Sequence, residues 1–253
     1  MASTVSVGSA RILAIDVGAT NIKFSHVDDR AVLLERVRRR RTPSPCAPEQ
    51  LVDLLATRIA RCDCARVAVG FAGALFDGVV VTPGNLARRG GTGTAVDRRL
   101  ESQWRGFALA QRLREATGRD VRLANDAALA ALGSCTGAGA ELVLTLGTGL
   151  GLAVTRDGEL QVVPDVGASL FAPGRTYDEA VGEGARAQDE IIWREAVAAV
   201  VTRFATQYAA ESVHLAGGNA RRLSPGLFDA VAVAIHIHGN EVALKGGAKL
   251  FYP

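Results

Sequence analysis

The chain has 253 residues, of which 48% are hydrophobic and 22% are charged, a composition typical of a globular protein with one or two domains. A net charge of +3 does not indicate a nucleic-acid or membrane-binding surface, and no apolar run of 18 residues occurs. Residues 1–10 lack the basic flank and apolar core of a secretion signal, so we expect a cytoplasmic protein.

The first predicted elements form a strand, a tight turn and a second strand between residues 12 and 27. An apolar run ends at Asp16, and Gly18, Thr20 and Lys23 follow before a second apolar run. Glycine allows close approach of a ligand, threonine offers a hydroxyl and amides to phosphate oxygens, and lysine supplies positive charge. Asp16 is suited to hold a divalent cation through water. The pattern favours a phosphate-binding hairpin over a plain structural hairpin.

A third strand is predicted within residues 31–41, and its second half is rich in arginine. These arginines are interpreted as solvent-facing residues of an edge strand, with contact to a polyanion as the alternative. A second arginine-rich stretch over residues 87–105 predicts a mobile flap or a short extra helix.

The rest of the first half alternates strands with helices, as expected for an α/β fold. The predicted elements are a helix over 48–59, a strand over 66–71, a hairpin over 76–82, a helix over 107–117 ending at Gly118, a strand from Val121 and a helix over 127–133.

The opening pattern recurs in the second half of the chain. The apolar residues 142–146 lead to a turn containing Gly147, Thr148, Gly149 and Gly151, and a second strand follows. The fold is therefore predicted to be duplicated, with two phosphate turns facing one cleft. The later predicted elements are an irregular segment over 164–183, a long helix over 185–208, a strand from Val213, a strand over 231–237 and a short helix over 241–251.

Four cysteines, Cys46, Cys62, Cys64 and Cys135, are too few and too irregular for the disulfide framework of a small secreted protein. Cys62 and Cys64 are separated by one residue, whereas a metal knuckle has two intervening residues and a second ligand pair. We therefore expect reduced structural thiols at these positions.

Five motifs occur in the order and approximate spacing of the ROK family of sugar kinases. They are Asp16-x-Gly18-x-Thr20-x-x-Lys23, Pro83-Gly84-Asn85-Leu86, Asn125-Asp126-Ala127, Leu146-Gly147-Thr148-Gly149-x-Gly151 and Ala216-Gly217-Gly218. The chain resembles this family over nearly its whole length, and its polyphosphate/ATP-glucokinase branch most of all. The resemblance implies an α/β fold of the two-lobed actin-like (ribonuclease H-like) type, with duplicated βββαβαβα halves and a central cleft. The lobes are expected at residues 1–132 and 133–253.

The resemblance also implies phosphoryl transfer from ATP or polyphosphate to a hydroxyl of a hexose or hexose-like sugar, with Asp126 as the general base. The expected substrate-binding residues are Asn85, Asn125, Asp165 and Glu179. The expected phosphate and nucleotide contacts are Asp16, Gly18, Thr20, Asn21, Lys23, Gly147, Thr148, Gly149, Gly151, Gly217 and Gly218. Asp16 would hold Mg²⁺ through water, and the protein is expected to be a homodimer without nucleic-acid or membrane partners. Without the other motifs, Asn125-Asp126 would be interpreted as a helix N-cap.

The sugar-binding segment departs from the family pattern. Where the family has Glu-x-Gly-His, this chain has Asp165, Val166, Gly167 and Ala168. A gapped alignment places Glu179 on the last glutamate of the family's zinc knuckle, and Leu170, Ala172 and Tyr177 on its three cysteines. We therefore expect no zinc site and no zinc cofactor in this protein, and a sugar contact different from that of the missing histidine.

Two other functions stay open. The altered sugar segment is compatible with a non-catalytic sugar or nucleotide sensor, and the superfold with a phosphatase or acyl kinase. The family's repressors carry a helix-turn-helix that residues 1–11 are too few to supply. A metal site at His236 and His238 is disfavoured, because no carboxylate or cysteine lies at a useful spacing.

Overall fold

Two five-stranded sheets form the frame of the protein in a computed structural model that describes residues 11–89 and 94–252. The first half contains β1 (Ile12–Val17), β2 (Asn21–Val27), β3 (Arg38–Arg41), α1 (Pro48–Ile59), β4 (Arg66–Phe71), β5 (Ala74–Phe76), β6 (Val79–Thr82), α2 (Arg98–Trp104), α3 (Leu109–Thr117), β7 (Asp120–Asn125) and α4 (Asp126–Ser134). The second half contains β8 (Ala140–Leu146), β9 (Leu150–Arg156), β10 (Glu159–Leu160), β11 (Leu170–Ala172), β12 (Arg175–Thr176), α5 (Tyr177–Val181), α6 (Glu183–Gln188), α7 (Glu190–Gln207), β13 (Ser212–Ala216), β14 (Ala234–Ile237) and α8 (Val242–Gly246).

The two sheets have the same topology. The strand order is β3-β2-β1-β4-β7 in the first sheet and β10-β9-β8-β13-β14 in the second. In each sheet, neighbouring strands among the first three of this order are antiparallel. The last two strands run parallel to the central strand, which is β1 in the first sheet and β8 in the second. This repetition confirms the duplicated, two-lobed α/β fold that the sequence predicts. The lobe boundary at residue 132 stays a prediction.

Both opening hairpins form as predicted. In the first, Asp16 pairs with Lys23 across the ladder, and the amide of Gly18 donates to the carbonyl of Asn21 at 3.0 Å. In the second, β8 and β9 pair from Ala140 to Leu146, and the turn follows at Gly147.

The outer face of each sheet is covered by helices with an apolar face. Helices α1 and α3 cover the first sheet, and α7 covers the second. The large side chains buried there include Leu51, Leu55, Leu109, Trp193 and Phe204. Burying a side chain of this size contributes about 1.5–3 kcal/mol to folding, so these layers supply most of the core.

Helices α4 and α8 lie between the two sheets. Alanines of α4 pack against Val143 and Ala153 of the second sheet, whereas Leu244 of α8 packs against Ile12 and Ala14 of the first. The two helices approach so closely that a Cβ atom on Gly133 would overlap backbone atoms of α8. Small residues at this contact bring the two lobes together around one cleft.

Several predicted elements differ from the observed ones. The long helix predicted over 185–208 is two helices, because Asp189 adopts an extended conformation and its carboxylate accepts from the amides of Ile191 and Ile192. The third strand is limited to Arg38–Arg41, since the residues before it form a turn and irregular backbone, with a single bridge between Leu33 and Val27. Of the two alternatives for 87–105, a short helix, α2, forms, while residues 90–93 lie outside the described part.

The prediction of reduced thiols at Cys62 and Cys64 is wrong, because the structure joins them in a disulfide. The turn that follows α1 places the two Cα atoms 5.5 Å apart, within the range that a disulfide spans. Cys46 and Cys135 are free.

Among the described residues, no helix combines the length and the apolar character that a membrane span requires.

Candidate active site

A cleft of about 430 Å³ lies between the lobes, at the carboxyl ends of the parallel strands. Ligands of open α/β sheets bind at these strand ends, where turns and helix N-termini present backbone amides. The cleft is lined by most of the residues expected to bind substrate and donor: Asp16, Gly18, Thr20, Asn21, Lys23, Asn85, Asn125, Asp126, Gly147, Thr148, Gly149, Gly151, Asp165, Gly217 and Gly218. Residues that are far apart in the chain thus meet in one place.

The two glycine and threonine turns face each other across this cleft. The hydroxyls of Thr20 and Thr148 form a hydrogen bond of 3.0 Å between the lobes. Thr42 supports the first turn, because its hydroxyl donates to the carbonyl of Gly18 at 2.6 Å and its amide donates to the carbonyl of Thr20. Two rigid turns with nearby positive charge form a suitable cradle for a chain of phosphates.

A partly buried ion pair lies at the base of the first turn. Lys23 Nζ is 2.7 Å from Asp16 Oδ2, and Asp16 is only 6% exposed. Opposite Lys23 on the neighbouring strand, Arg39 also lines the cleft. This end of the cleft therefore combines one carboxylate with two cationic side chains.

Asn125 and Asp126 lie at the junction between β7 and α4. Asn125 is the N-cap of α4, because its Oδ1 accepts from the amides of Ala127 at 2.9 Å and Ala128 at 3.4 Å. Its Nδ2 donates to the carbonyl of Gly73 at 2.9 Å, so the side chain also fixes the next loop. The capping alternative is thus correct for Asn125, and the same junction places both residues on the cleft.

Asp126 has an unusual electrostatic environment. Burial in the cleft raises its pKa to about 7, and the charges of Asp16 and Asp165 act in the same direction. The amide of Ala127, which donates to Asp126 Oδ1 at 2.8 Å, and the charge of Lys23 lower the pKa in part. A carboxylate with a pKa near 7 is well matched to accept a proton at neutral pH.

Asn85 and Asp178 connect the lobes at the other end of the cleft. Asn85 Nδ2 donates to Asp178 Oδ2 at 3.1 Å, and the amide of Leu150 donates to Asp178 Oδ1 at 2.8 Å. Burial raises the pKa of Asp178, although these two hydrogen bonds oppose the shift. Asn85 Oδ1 is buried and has no hydrogen-bond partner within the described residues. A buried acceptor of this kind is costly unless a ligand supplies a donor such as a hydroxyl.

The expected sugar ligand Glu179 does not line the cleft. Its carboxylate accepts from the amide of Thr176 at 2.8 Å and from its hydroxyl at 2.9 Å, which makes it part of the capping box of α5. The preceding residue, Asp178, lines the cleft instead. The gapped alignment could not distinguish two adjacent carboxylates, whereas the capping pattern Thr-x-x-Glu in the sequence assigns Glu179 to the helix end.

The altered sugar segment lies at the edge of the cleft. Asp165 lines it and accepts from the amide of Gly167 at 3.2 Å, while Ala168 is exposed. The position at which the family has a histidine thus presents only a methyl group.

Other cleft residues were not identified from the sequence. Glu183, Asn219, Arg221 and Asn240 reach the cleft from loops and helix starts of the second lobe. Asn219 Nδ2 donates to the carbonyl of Gly147 at 3.2 Å and so supports the second turn. Asn240 Oδ1 is a second buried acceptor without a partner among the described residues. Asn219 directly follows the double glycine and could have been included with that motif; the others carry no local signal.

Solved structures with the same architecture include an inorganic polyphosphate/ATP-glucomannokinase from Arthrobacter sp. strain KM, with 25% identity, a TM-score of 0.78 and coverage of 95% of this chain and 98% of that one. A ROK family glucokinase from Streptomyces griseus, in complex with glucose and AMPPNP, has 17% identity, a TM-score of 0.79 and coverage of 95% and 99%. A ROK family transcriptional regulator, a homologue of the E. coli MLC protein, has 12% identity, a TM-score of 0.66 and coverage of 95% and 77%. The likeness to the last two shows the fold alone.

A search of curated proteins returned no match. The ROK family model matches residues 12–164, which include both glycine turns, Asn85 and the Asn125-Asp126 junction. With three-fifths of the sequence matched and the two-lobed architecture shared with a ROK family glucokinase, this chain belongs to the ROK family.

Proposed function

We propose that this chain is a ROK-type carbohydrate kinase that transfers a phosphoryl group to a hydroxyl of a hexose or hexose-like sugar. The observation that carries this proposal is the position of Asp126 in one cleft with the two glycine and threonine turns. A phosphoryl transfer needs little covalent chemistry from the protein, so positioning and charge neutralisation account for most of its rate.

In the proposed reaction, Asp126 accepts the proton of the attacking sugar hydroxyl. The sugar oxygen forms a bond to the terminal phosphorus of the donor, and the bond between that phosphorus and the bridging oxygen breaks. The pKa of about 7 leaves Asp126 ionised above neutral pH and able to take the proton as the transition state forms. Asn85 Oδ1, buried without a partner among the described residues, would accept a hydrogen bond from a second sugar hydroxyl.

We propose ATP as the donor, held by Gly18, Thr20, Asn21 and Lys23 on one side and by the turn from Gly147 to Gly151, with Gly217 and Gly218, on the other. Asp16 fits hydrated Mg²⁺, since Lys23 contacts its Oδ2 and its Oδ1 can accept a metal-bound water. Mg²⁺ would neutralise charge on the donor phosphates.

Polyphosphate is the alternative donor. It is supported by the resemblance to the Arthrobacter glucomannokinase and by Arg39, which pairs in register with Lys23 and lines the cleft. Side chains alternate along a strand, so Arg40 belongs to the other face of the sheet. We expect Arg39→Gln to weaken polyphosphate-dependent turnover and its salt dependence, and the matched control Arg40→Gln to leave both nearly unchanged.

Two further expectations from the sequence, a homodimer and a cytoplasmic location, belong to this proposal. Ile191 and Ile192 at the start of α7 are 73% and 51% exposed and would suit a homodimer interface. A cytoplasmic location stays a prediction.

A non-catalytic sensor is the second candidate, favoured by Ala168 at the position of the family's sugar histidine and by the fold shared with a ROK regulator. Phosphoryl transfer to a panel of hexoses, amino sugars and cyclitols, from ATP with Mg²⁺ and separately from polyphosphate, distinguishes the two. For a kinase we expect turnover on at least one acceptor, a loss of about 10²–10⁴ in kcat with Asp126→Asn, and a fall in kcat/KM as the pH drops below about 7. Sugar binding without transfer to any acceptor would favour the sensor.

A further inference from the structure

A second cluster of chemically active side chains lies in the first lobe, away from the cleft. His26 on β2 pairs in register with Leu13, near the start of β1, whereas the cleft is at the other end of that strand. Cys62 and Cys64 come from the turn between α1 and β4, and Glu35 comes from the segment between β2 and β3. His26 is three residues from Lys23 along β2, which corresponds to about 10 Å.

The side chains in this cluster are arranged around one imidazole ring. His26 Nδ1 is 2.6 Å from Glu35 Oε1, and His26 Nε2 is 3.1 Å from Cys62 Sγ. Cys62 and Cys64 are each 5% exposed, and His26 is 6% exposed. One ligand atom from each of these three residues lies within 4.8 Å of the other two.

His26 Nδ1 has two contacts, and the shorter one, with Glu35, indicates which ring nitrogen is available. A carboxylate accepts a hydrogen bond, so the short contact places the proton of a neutral imidazole on Nδ1. The lone pair on Nε2 then points toward the two sulfur atoms. Arg11 Nη2, 3.2 Å from Nδ1, can only donate and would favour the other tautomer, but its contact is 0.6 Å longer than that of Glu35. A carboxylate behind a histidine that faces two cysteines is the outer arrangement found around many metal ligands.

We propose that Cys62, Cys64 and His26 bind one thiophilic metal ion, Zn²⁺ or Cu⁺, when the two cysteines are reduced. Two thiolates and one imidazole are a donor set that both ions accept, and Zn²⁺ would take a water as its fourth ligand. This site is separate from the zinc knuckle that the sequence is expected to lack, because that segment belongs to the second lobe.

The disulfide is the oxidised form of the site, in which the two sulfur atoms are bonded to each other. Two molecules of a small thiol reduce this disulfide. The first forms a mixed disulfide with one cysteine and frees the other cysteine as a thiol. The second attacks the mixed disulfide, so that two cysteine thiols and one external disulfide are produced. Binding of the ion then releases the two thiol protons. With Zn–S of about 2.3 Å and Zn–N of about 2.0–2.1 Å, a tetrahedral site separates sulfur from nitrogen by about 3.6 Å. The observed 3.1 Å between Cys62 Sγ and His26 Nε2 therefore requires a shift of about half an ångström, and the two sulfur atoms, bonded in the disulfide, move apart to about 3.8 Å.

A rival cluster in the second lobe is better explained by structure. Cys135, Glu141 and His214 also lie within reach of one another. However, the carboxylate of Glu141 already accepts from the amide and hydroxyl of Thr136 and from the amide of Gly137, which fixes the turn before β8. The hydrogen bonds of the Glu141 carboxylate thus stabilise that turn.

The test measures metal content and affinity in the full chain. The protein is reduced with a small thiol under anaerobic conditions, desalted and divided. One part is titrated with Zn²⁺ against a chromogenic chelator, one with Cu⁺ against a Cu⁺-specific chelator, and one with Co²⁺ to record thiolate charge-transfer absorption. The air-oxidised chain is treated in the same way, which gives a comparison without any mutation.

We expect one Zn²⁺ or Cu⁺ per reduced chain and none in the oxidised chain. Cys62→Ser should abolish tight binding, and Glu35→Ala should weaken it about 10–100-fold, because the histidine loses its orienting partner. Cys46→Ala, a change of another buried cysteine in the same core, should leave binding intact. Circular dichroism of each variant establishes that it is folded.

The inference is overturned if the reduced chain binds neither ion stoichiometrically. It is equally overturned if folded Cys62→Ser binds as tightly as the unmodified chain, or if binding is lost in Cys135→Ala instead. None of these outcomes depends on kinase activity.

Discussion

Replacing Asp126 by asparagine should change how the stability of the protein depends on pH. The carboxyl has a pKa of about 7 in the folded chain, against an ordinary value of 3.8. Between these values the folded chain holds one more proton than the unfolded chain, so the free energy of unfolding falls as the pH rises. The stabilisation is present in full below about pH 3.8 and is lost once the pH exceeds about 7.

The size of the effect follows from the interval of pH. One pH unit corresponds to about 1.4 kcal/mol, so the two units between pH 5 and pH 7 amount to about 3 kcal/mol at most. Asp126 is half-buried in an open cleft, and water screens part of this difference. We therefore expect about 1–3 kcal/mol. Asparagine does not titrate and keeps an oxygen that can accept from the amide of Ala127.

The assay is urea unfolding of both proteins at pH 5 and pH 8. The Asp126→Asn chain should gain about 1–3 kcal/mol relative to the unmodified chain between these two values. Asp53→Asn is the matched control, because it makes the same change on the exposed face of α1. Equal pH dependence of stability in the unmodified chain and in Asp126→Asn would refute the pKa near 7 and with it the argument for Asp126 as a base poised at neutral pH.

Three further substitutions test the cleft and the core. A Cβ on Gly149 would overlap the carboxylate of Asp178, so Gly149→Ala should lower kcat/KM at least tenfold in the sugar-kinase assay. A Cβ on Gly184 would contact no other atom, so the control Gly184→Ala should have little effect. Asp178→Ala removes the acceptor for Asn85 and should raise the KM for the sugar more than the KM for ATP, so equal increases would contradict a role at the sugar end. Trp193→Phe leaves the buried carbonyl of Val181 without its indole donor and should lower the free energy of unfolding by about 1–3 kcal/mol, as measured with urea. A decrease below about 0.5 kcal/mol would contradict the importance of this hydrogen bond.

The parts of the fold that could be predicted are those with strong local patterns. The strand, turn and strand around Gly18 and the Gly118 cap both form as expected, because a few adjacent residues determine the backbone. The break at Asp189 was not predicted, since apolar residues continue at helical spacing on both sides and only the cap geometry interrupts them.

The residues of the candidate site that belong to sequence motifs could be predicted. Those that only the folding of distant segments brings to the cleft could not. Asp126 and both glycine turns were identified from the sequence, and all of them line the cleft. Arg221 and Asn240 arrive from loops that carry no local signal. Whether Asp178 or Glu179 lines the cleft depends on the directions in which these two adjacent side chains point, and a gapped alignment gives no information on side-chain direction.

The position of α8 has a consequence for the order in which the protein assembles during synthesis. Leu244 and Ala248 cover Ile12 and Ala14, although some 230 residues separate them along the chain. The inner face of the first sheet therefore stays partly uncovered on the ribosome until α8 has emerged, and this delay exposes apolar surface to chaperones or to neighbouring chains. Residues translated some 230 positions later thus complete the packing of the first strand.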